Sequence, residues 1–113
     1  PAARKILAEA EESEITLADA LDDLEAFLAP AGLGAVSIWG NGAGFDQPIL
    51  TVAHMVLQRQ VPWKFWNDRC FRTLKALAPE VKMEKSLLAH NALNDAIMQA
   101  EHACKCFAKL RGE

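Results

Sequence analysis

Three side chains that could act as metal ligands or as a general base stand at suggestive spacings in the chain. His90 precedes Asp95 by five positions, with small or amide residues between them, and Asp46 closes the glycine-rich stretch GNGAGFD. If His90 and Asp95 both lay within one helix, roughly 100° per residue would place them on different faces. We therefore expect His90 in the loop before a helix and Asp95 near the second turn of that helix, where both can point into one cleft.

The elements that must position these groups are mostly helical. Thr16 and Asp19 form a capping-box pattern ahead of leucines at helical spacing, and Pro48 suits the first turn of a helix that begins near Phe45 or Asp46. Helix formers and breakers predict helical segments over about 17–29, about 45–57, a short stretch ended by Pro79, and about 89–110. Residues 1–12 are expected to form a short surface helix or a frayed lead-in. VPWKFWNDRC is expected to be an ordered loop that enters a strand or a helix near Arg69.

Helical spacing also predicts which side chains of two helices face a core. In the helix that begins near Asp46 they are Ile49, Leu50, Ala53, Val56 and Leu57. In the last helix they are Ala92, Ile97, Ala100, Ala103 and Phe107. His54, at the middle of the first of these helices, is expected to be structural.

One segment has the pattern of a strand. AVSIW, at 35–39, is short, β-branched and apolar, which predicts a buried strand. A strand without a ladder partner would bury unpaired main-chain groups. We therefore expect either that it pairs between chains or that further strands of the fold lie outside the 113 residues.

Composition limits the class of protein. With 113 residues, 51% apolar and 24% charged, the chain is long enough for a single domain over 1–113 and is not disordered. A net charge of −3 excludes a global basic field, so binding of nucleic acid would have to be local. The longest apolar runs are too short for a membrane span, and three cysteines give no disulfide framework, which together predict a cytoplasmic protein without a membrane partner.

The histidine and acidic pattern resembles the DEDDh family of metal-dependent 3′-to-5′ exonucleases. Its second motif is matched by Asn41, Phe45 and Asp46, and its third motif by His90 and Asp95. Between them, PWKFWNDRCFRTLKAL resembles the middle segment of a bacterial and phage branch that contains small exoribonucleases and phage-type exodeoxyribonucleases. The resemblance spans about 13–104 and implies a ribonuclease H-like α/β fold.

The resemblance also implies roles for these residues. Asp46 and Asp95 would be metal-binding carboxylates, and His90 the general base that activates the attacking water. Two divalent cations roughly 4 Å apart can neutralise the attacking and leaving oxygens of a phosphodiester, and carboxylates are the hard ligands that such cations prefer. The implied cofactor is Mg²⁺ or Mn²⁺, the substrate is a single-stranded 3′ end of RNA or DNA, and the products are nucleoside 5′-monophosphates.

The first family motif, Asp-x-Glu on an opening strand, has no convincing match. Asp23 and Glu25 have the spacing, but the predicted helix over 17–29 would point them about 200° apart. We therefore expect this chain to be the C-terminal part of a longer exonuclease, mostly helical with one or two strands, and inactive as the 113-residue species alone. The alternative function is a non-catalytic helical interaction module.

Candidate substrate contacts come from the middle segment and the second motif. Arg69 and Arg72, three apart, could lie on one helix face and meet phosphate oxygens, or could pair with Asp68 or Glu80. Asn41 and Phe45 complete the set of candidates, although Asn41 is expected to shape the glycine turn. The aromatic residues Trp63, Phe65 and Trp66 could stack on bases, but core or homodimer contact is the favoured interpretation.

Simpler interpretations stand beside these. Asp46 alone would be a helix cap, His90 a loop residue and Asp95 a solvated helix acid. His102, Cys104 and Cys106 resemble a metal cluster in composition only, because Cys104 falls on another helix face from the other two. Packing within the helix is the favoured interpretation of that group.

Overall fold

A computed structural model of the protein describes residues 2–42, 44–83 and 91–113. In chain order its helices and strands are α1 (Ala2–Glu12), α2 (Leu17–Leu28), β1 (Ile38–Gly40), α3 (Asp46–Val56), β2 (Asp68–Cys70), α4 (Phe71–Leu77) and α5 (Ala92–Leu110). One short 3₁₀ turn, Ala29–Ala31, lies between α2 and β1, and a second, Phe65–Asn67, lies between α3 and β2. The described chain is thus mostly helical with a small parallel sheet, which is compatible with an α/β class.

The chain divides into two compact units. The strand unit comprises Glu14–Cys70 and holds the sheet, whereas the terminal unit combines Pro1–Ser13 with Phe71–Glu113. None of the helices among the described residues has both the length and the apolar character that crossing a membrane requires.

The predicted start of α2 is confirmed. Thr16 is extended at φ −75° and ψ 160°, and its hydroxyl oxygen accepts a hydrogen bond from the backbone N–H of Asp19 at 3.1 Å. This contact satisfies one of the amides that a helix start leaves without a helical partner. The 3₁₀ turn after α2 contains Pro30 and ends at Gly32, whose φ of +82° favours glycine.

The strand predicted over 35–39 is shorter and lies later than expected. β1 covers Ile38–Gly40, with Gly40 buried and Trp39 substantially exposed, so it is only partly a core strand. Its partner lies within the same chain: β2 runs parallel to it, in a register that pairs Ile38 with Asp68 and Gly40 with Cys70. α3 therefore belongs to the crossover of a β–α–β connection, which parallel neighbours require.

Helix α3 begins where the sequence predicts, but its inner face matches the predicted one only in part. Ile49 is 54% exposed and Val56 is 68% exposed, so the prediction that they face inward is wrong. The fully buried residues are Gln47 and His54, whereas the predicted Leu50, Ala53 and Leu57 are half-buried. The prediction failed for Ile49 and Val56 because it followed the apolar side chains, whereas two polar side chains occupy the most buried positions.

In the terminal unit, α4 packs on α5. The buried residues Leu74, Ala78 and Cys106 form a small core, and the half-buried Val81 and Ala103 pack against it. The structure confirms a short helix α4 ending before Pro79. It also shows His102 buried with its ring edge-to-face against Phe71, at 5.5 Å between centroids.

Helix α5 also presents another face than predicted. It begins at Ala92, with Asn91 as its cap, because the Asn91 side-chain oxygen accepts from the N–H of Asn94 at 3.1 Å. Of the five predicted core residues, Ala103 is half-buried, but the other four are exposed: Ala92, Ile97, Ala100 and Phe107. His102 and Cys106, four apart on one face, are the buried residues instead.

Candidate active site

Asp46 lies beyond the carboxyl end of β1, as the first residue of α3. Its side chain is half-buried, and its Oδ2 accepts a hydrogen bond from the backbone N–H of Asn41 at 2.8 Å. The N-cap position belongs to Phe45, so the interpretation of Asp46 as the helix cap is wrong. A carboxylate at a helix N-terminus is favoured by the helix dipole, and the carboxyl ends of parallel strands are where α/β proteins bind ligands.

Gly40 allows this close approach of α3 to the strand end. A Cβ on Gly40 would lie 3.0 Å from Asp46 Oδ2 and closer still to Gln47 Oε1, so any larger residue would displace both side chains. The glycine is buried and its backbone is in strand β1. The sequence therefore requires glycine here for space rather than for an unusual backbone angle.

Gln47 ties α3 to both strands. Its Nε2 donates to the backbone oxygen of Ile38 at 3.1 Å and to that of Arg69 at 2.9 Å. Two carbonyl acceptors require the NH₂ end of the amide, which fixes its orientation. The other end, Oε1, is buried with no hydrogen-bond partner. Asp46 is thus adjacent in sequence to a residue held by one carbonyl from each strand.

Asn41 and Phe45 frame the loop between β1 and α3. The half-buried Asn41 acts through its main chain on Asp46, which fits the expectation that it shapes the turn. Phe45 is 63% exposed, and its N–H donates to the oxygen of Gly42 at 3.2 Å. The ring of Phe45 is exposed, and its contact with substrate stays a prediction.

The second acidic candidate, Asp95, lies in the terminal unit, where it is half-buried. It occupies the first turn of α5 rather than the second, because the helix begins at Ala92. His90 lies outside the described residues, so its predicted place in the loop before this helix stays a prediction. The Asp23 and Glu25 pair is on helix α2 with both side chains exposed, as predicted.

The prediction that Arg69 and Arg72 share a helix face is wrong. Arg69 lies in strand β2, and α4 begins only at Phe71, so the two arginines belong to different kinds of element. The Arg69 guanidinium donates from Nη1 to the backbone oxygens of Trp66 at 3.0 Å and Asp68 at 3.1 Å. The sequence could not choose between a strand and a helix near Arg69, because DRC has no apolar alternation that would mark a strand.

The aromatic residues of the middle segment divide into one buried and two exposed rings. Trp63 is buried and packs edge-to-face on His54, with 5.6 Å between ring centroids. His54 Nδ1 lies 2.7 Å from the backbone oxygen of Leu50, which agrees with a structural role. Phe65 and Trp66, in contrast, are both exposed.

The remaining histidine and cysteine candidates are parts of helix packing or surface. His102 and Cys106 are buried in the terminal unit, whereas Cys104 is exposed on the same helix. Among the residues that the structure describes, no group of three or more His, Cys, Asp or Glu side chains is arranged to hold a metal ion. A cation site that uses Asp46 or Asp95 stays a prediction.

Sequence reasoning missed Gln47 completely. It is the one amide side chain of α3, and its two partners are 9 and 22 positions away in the chain. The only local signal is its position one residue after Asp46, behind a strand that ends in glycine.

Comparison with known proteins gives one match. A family model described as the 3'-5' exoribonuclease Rv2179c-like domain matches residues 1–107. Searches among curated proteins and among solved structures find no significant similarity.

Proposed function

Because the chain belongs to the 3'-5' exoribonuclease Rv2179c-like domain family, we propose that it acts as a metal-dependent 3′-to-5′ exonuclease on single-stranded nucleic acid. The match covers residues 1–107 and supports a hydrolytic nuclease in general. Metal dependence, the products and the roles of individual residues are our proposal. The reaction is hydrolysis of the terminal phosphodiester bond, with release of nucleoside 5′-monophosphates.

The observation that carries the proposal is the fixed carboxylate of Asp46. The N–H of Asn41 holds its Oδ2 at 2.8 Å, directly beyond the carboxyl end of β1. A carboxylate whose one oxygen is already oriented by the main chain loses less side-chain entropy when its other oxygen meets a ligand. Half-burial leaves that side chain reachable from solvent.

The donor chemistry of the two acids fits a hard divalent cation. Asp46 and Asp95 would be the ligands of Mg²⁺ or Mn²⁺, since such ions prefer carboxylate oxygens. When bound, the cation would supply neutralisation of the charge on the scissile phosphate. His90 would accept the proton of the attacking water, because an imidazole can take up a proton near neutral pH.

RNA is the substrate that we propose first. The family description names exoribonucleases, while the sequence resemblance includes relatives that act on DNA. The 2′-hydroxyl distinguishes the two polymers chemically. Parallel assays on matched RNA and DNA 12-mers test this choice, and faster digestion of the DNA would contradict it.

The test is a digestion assay on the gene-encoded polypeptide with 5′-labelled oligonucleotides. We expect a ladder that shortens from the 3′ end with Mg²⁺ or Mn²⁺, no ladder with EDTA, and at least about a 100-fold loss for Asp46→Asn and Asp95→Asn. A 3′-terminal phosphorothioate should slow the first cleavage.

Matched controls are available in the same units of the chain. Asp23→Asn replaces an exposed acid of the strand unit, and Glu101→Gln replaces an exposed acid of α5. Both should digest RNA at the parent rate. Digestion by Asp46→Asn at the parent rate would refute the proposed role of that carboxylate, and a full-length protein that binds RNA without cleaving it would favour the interaction-module alternative.

A further inference from the structure

Two adjacent aromatic rings stand exposed on the strand unit. Phe65 is 75% exposed and Trp66 is 62% exposed, although both are large apolar side chains. Their rings meet edge-to-face, with 5.1 Å between centroids and an interplanar angle of 81°. In this arrangement one ring supports the other, and most of each side chain stays accessible to solvent.

The backbone beneath these rings is held in place on both sides. Trp63 is buried just before the pair, and Asn67 just after it donates from Nδ2 to the oxygen of Gly34 at 3.3 Å. The Arg69 guanidinium donates to the oxygen of Trp66 at 3.0 Å. The rings therefore project from a fixed 3₁₀ turn, and binding to them costs little backbone ordering.

Positive charge in the strand unit is concentrated beside the pair. Only three basic residues occur within 14–70, namely Arg59, Lys64 and Arg69. Arg59 pairs with Asp22 at 2.7 Å, whereas Lys64 and Arg69 flank the aromatic pair. Lys64 Nζ lies 5.7 Å from the centroid of the Trp66 ring. Flat apolar faces with cations at both sides match the bases and phosphates of a single strand.

We propose that Lys64, Phe65, Trp66 and Arg69, which we name the aromatic ledge, bind the unpaired bases of a single-stranded nucleic acid by stacking. The inference rests on the proposed function, which supplies the polymer, and adds a binding surface to it. Lys64 and the outer edge of the Arg69 guanidinium contact phosphate oxygens. Recognition is independent of sequence, because every base has a π-face.

The size of the surface favours a nucleic acid over a second copy of the chain. A stable protein interface buries about 800 Å² on each partner, whereas two aromatic side chains supply at most about 400–500 Å². Arg69 also connects the ledge with the start of α3, because its backbone oxygen accepts from Gln47 Nε2 at 2.9 Å. The ledge and Asp46 thus belong to one hydrogen-bonded part of the strand unit.

Fluorescence anisotropy in EDTA tests the ledge without turnover, with fluorescein-labelled U₁₀ and dT₁₀ as probes. Loss of base–aromatic stacking is worth about 1–3 kcal/mol, so Trp66→Ala should weaken binding by about 5- to 150-fold. Trp66→Phe should restore most of the affinity, because it keeps a ring. Lys64→Gln should lower the slope of log K against log salt concentration by about 0.7.

Phe27→Ala is the matched control, because Phe27 is 80% exposed on α2 of the same unit. It should bind both probes with the parent affinity. A probe with abasic sites in place of the bases should bind the parent weakly, and Trp66→Ala should not weaken it further. Because Phe65 and Trp66 are exposed, replacing them should leave the fold intact. Unchanged circular dichroism and melting temperature would verify this for each variant.

Three results would overturn the inference. One is binding of U₁₀ and dT₁₀ within twofold of the parent by the double variant Phe65→Ala, Trp66→Ala. Another is equal sensitivity of base-containing and abasic probes to Trp66→Ala. A third is a change from dimer to monomer in Trp66→Ala, measured by light scattering, with unchanged affinity for the probe.

Failure of the proposed function would look different. Asp46→Asn should still bind both probes in EDTA, because the ledge does not use that carboxylate. If Asp46→Asn digested RNA normally, the proposed catalytic role would be lost while the binding results stood.

Discussion

Replacing Gln47 tests whether a buried amide holds α3 to the two-stranded sheet. The side chain is 3% exposed, and its Nε2 donates to one backbone oxygen of β1 and one of β2. Gln47→Leu keeps most of the volume and removes both donors. Gln47→Glu keeps the shape but turns an acceptor toward the carbonyl oxygens of Ile38 and Arg69.

The contacts set the magnitude of each change. Each lost hydrogen bond costs about 1 kcal/mol net, which gives about 2 kcal/mol for the two. Gln47→Leu also removes the buried Oε1 that has no partner, which returns about 1 kcal/mol. Its unfolding free energy should therefore fall by about 1 kcal/mol. Gln47→Glu regains nothing and buries an uncompensated acid, so the loss should reach at least about 3 kcal/mol.

The assay is urea unfolding followed by circular dichroism, with melting temperature as a second measure. At roughly 4 °C per kcal/mol for a domain of this size, the two variants should differ by about 8 °C. The control pair is Gln60→Leu and Gln60→Glu, because Gln60 is an exposed glutamine of the same unit. Both should stay within about 0.5 kcal/mol of the parent. A Gln47→Glu variant as stable as Gln47→Leu would refute the donor role.

Three further predictions concern single contacts. Gly40→Ala should lower the unfolding free energy by about 1–3 kcal/mol and reduce nuclease activity, because the added Cβ would collide with the Gln47 side chain. Parent values in both assays would contradict this. Leu74→Ala should cost about 2–5 kcal/mol in urea unfolding, whereas Leu77→Ala, exposed on the same helix, should cost less than about 1 kcal/mol, and equal losses would exclude the core assignment. Thr16→Ala should lower stability by about 1 kcal/mol through loss of the α2 cap, and Thr16→Ser, which keeps the hydroxyl, should recover most of it.

The sequence was sufficient to locate helices but not to orient them. Thr16 and Pro48 mark helix starts by local chemistry, and the structure has helices at both places. The face of α5 was predicted wrongly and that of α3 only in part correctly, because the buried positions carry Gln47, His54 and His102. Apolar periodicity cannot identify a buried polar side chain, since burial of such a group depends on partners that are distant in the chain.

The candidate site was predictable only in part. The resemblance singled out Asp46, and its position beyond a strand end and at a helix start agrees with the predicted order of elements. Its hydrogen bond to the Asn41 amide and the neighbouring Gln47 tether require the folded backbone. The sequence left open whether a strand or a helix begins near Arg69, because Asp68, Arg69 and Cys70 carry none of the alternation that marks a half-buried strand.

The buried amide of Gln47 and the short strands of the sheet have one physical explanation. Among the described residues the sheet has two strands of three residues each, so few ladder bonds are available to their main-chain groups. Carbonyl oxygens that are partly shielded from water need donors, and Gln47 supplies one NH₂ group to both strands. Helix α3, which begins at Asp46 after the short loop beyond β1, brings that amide close to both strands, and glycine at position 40 leaves the space for it. The hydrogen bonds from Gln47 to both strands therefore also hold the neighbouring residue, Asp46, at the carboxyl end of β1.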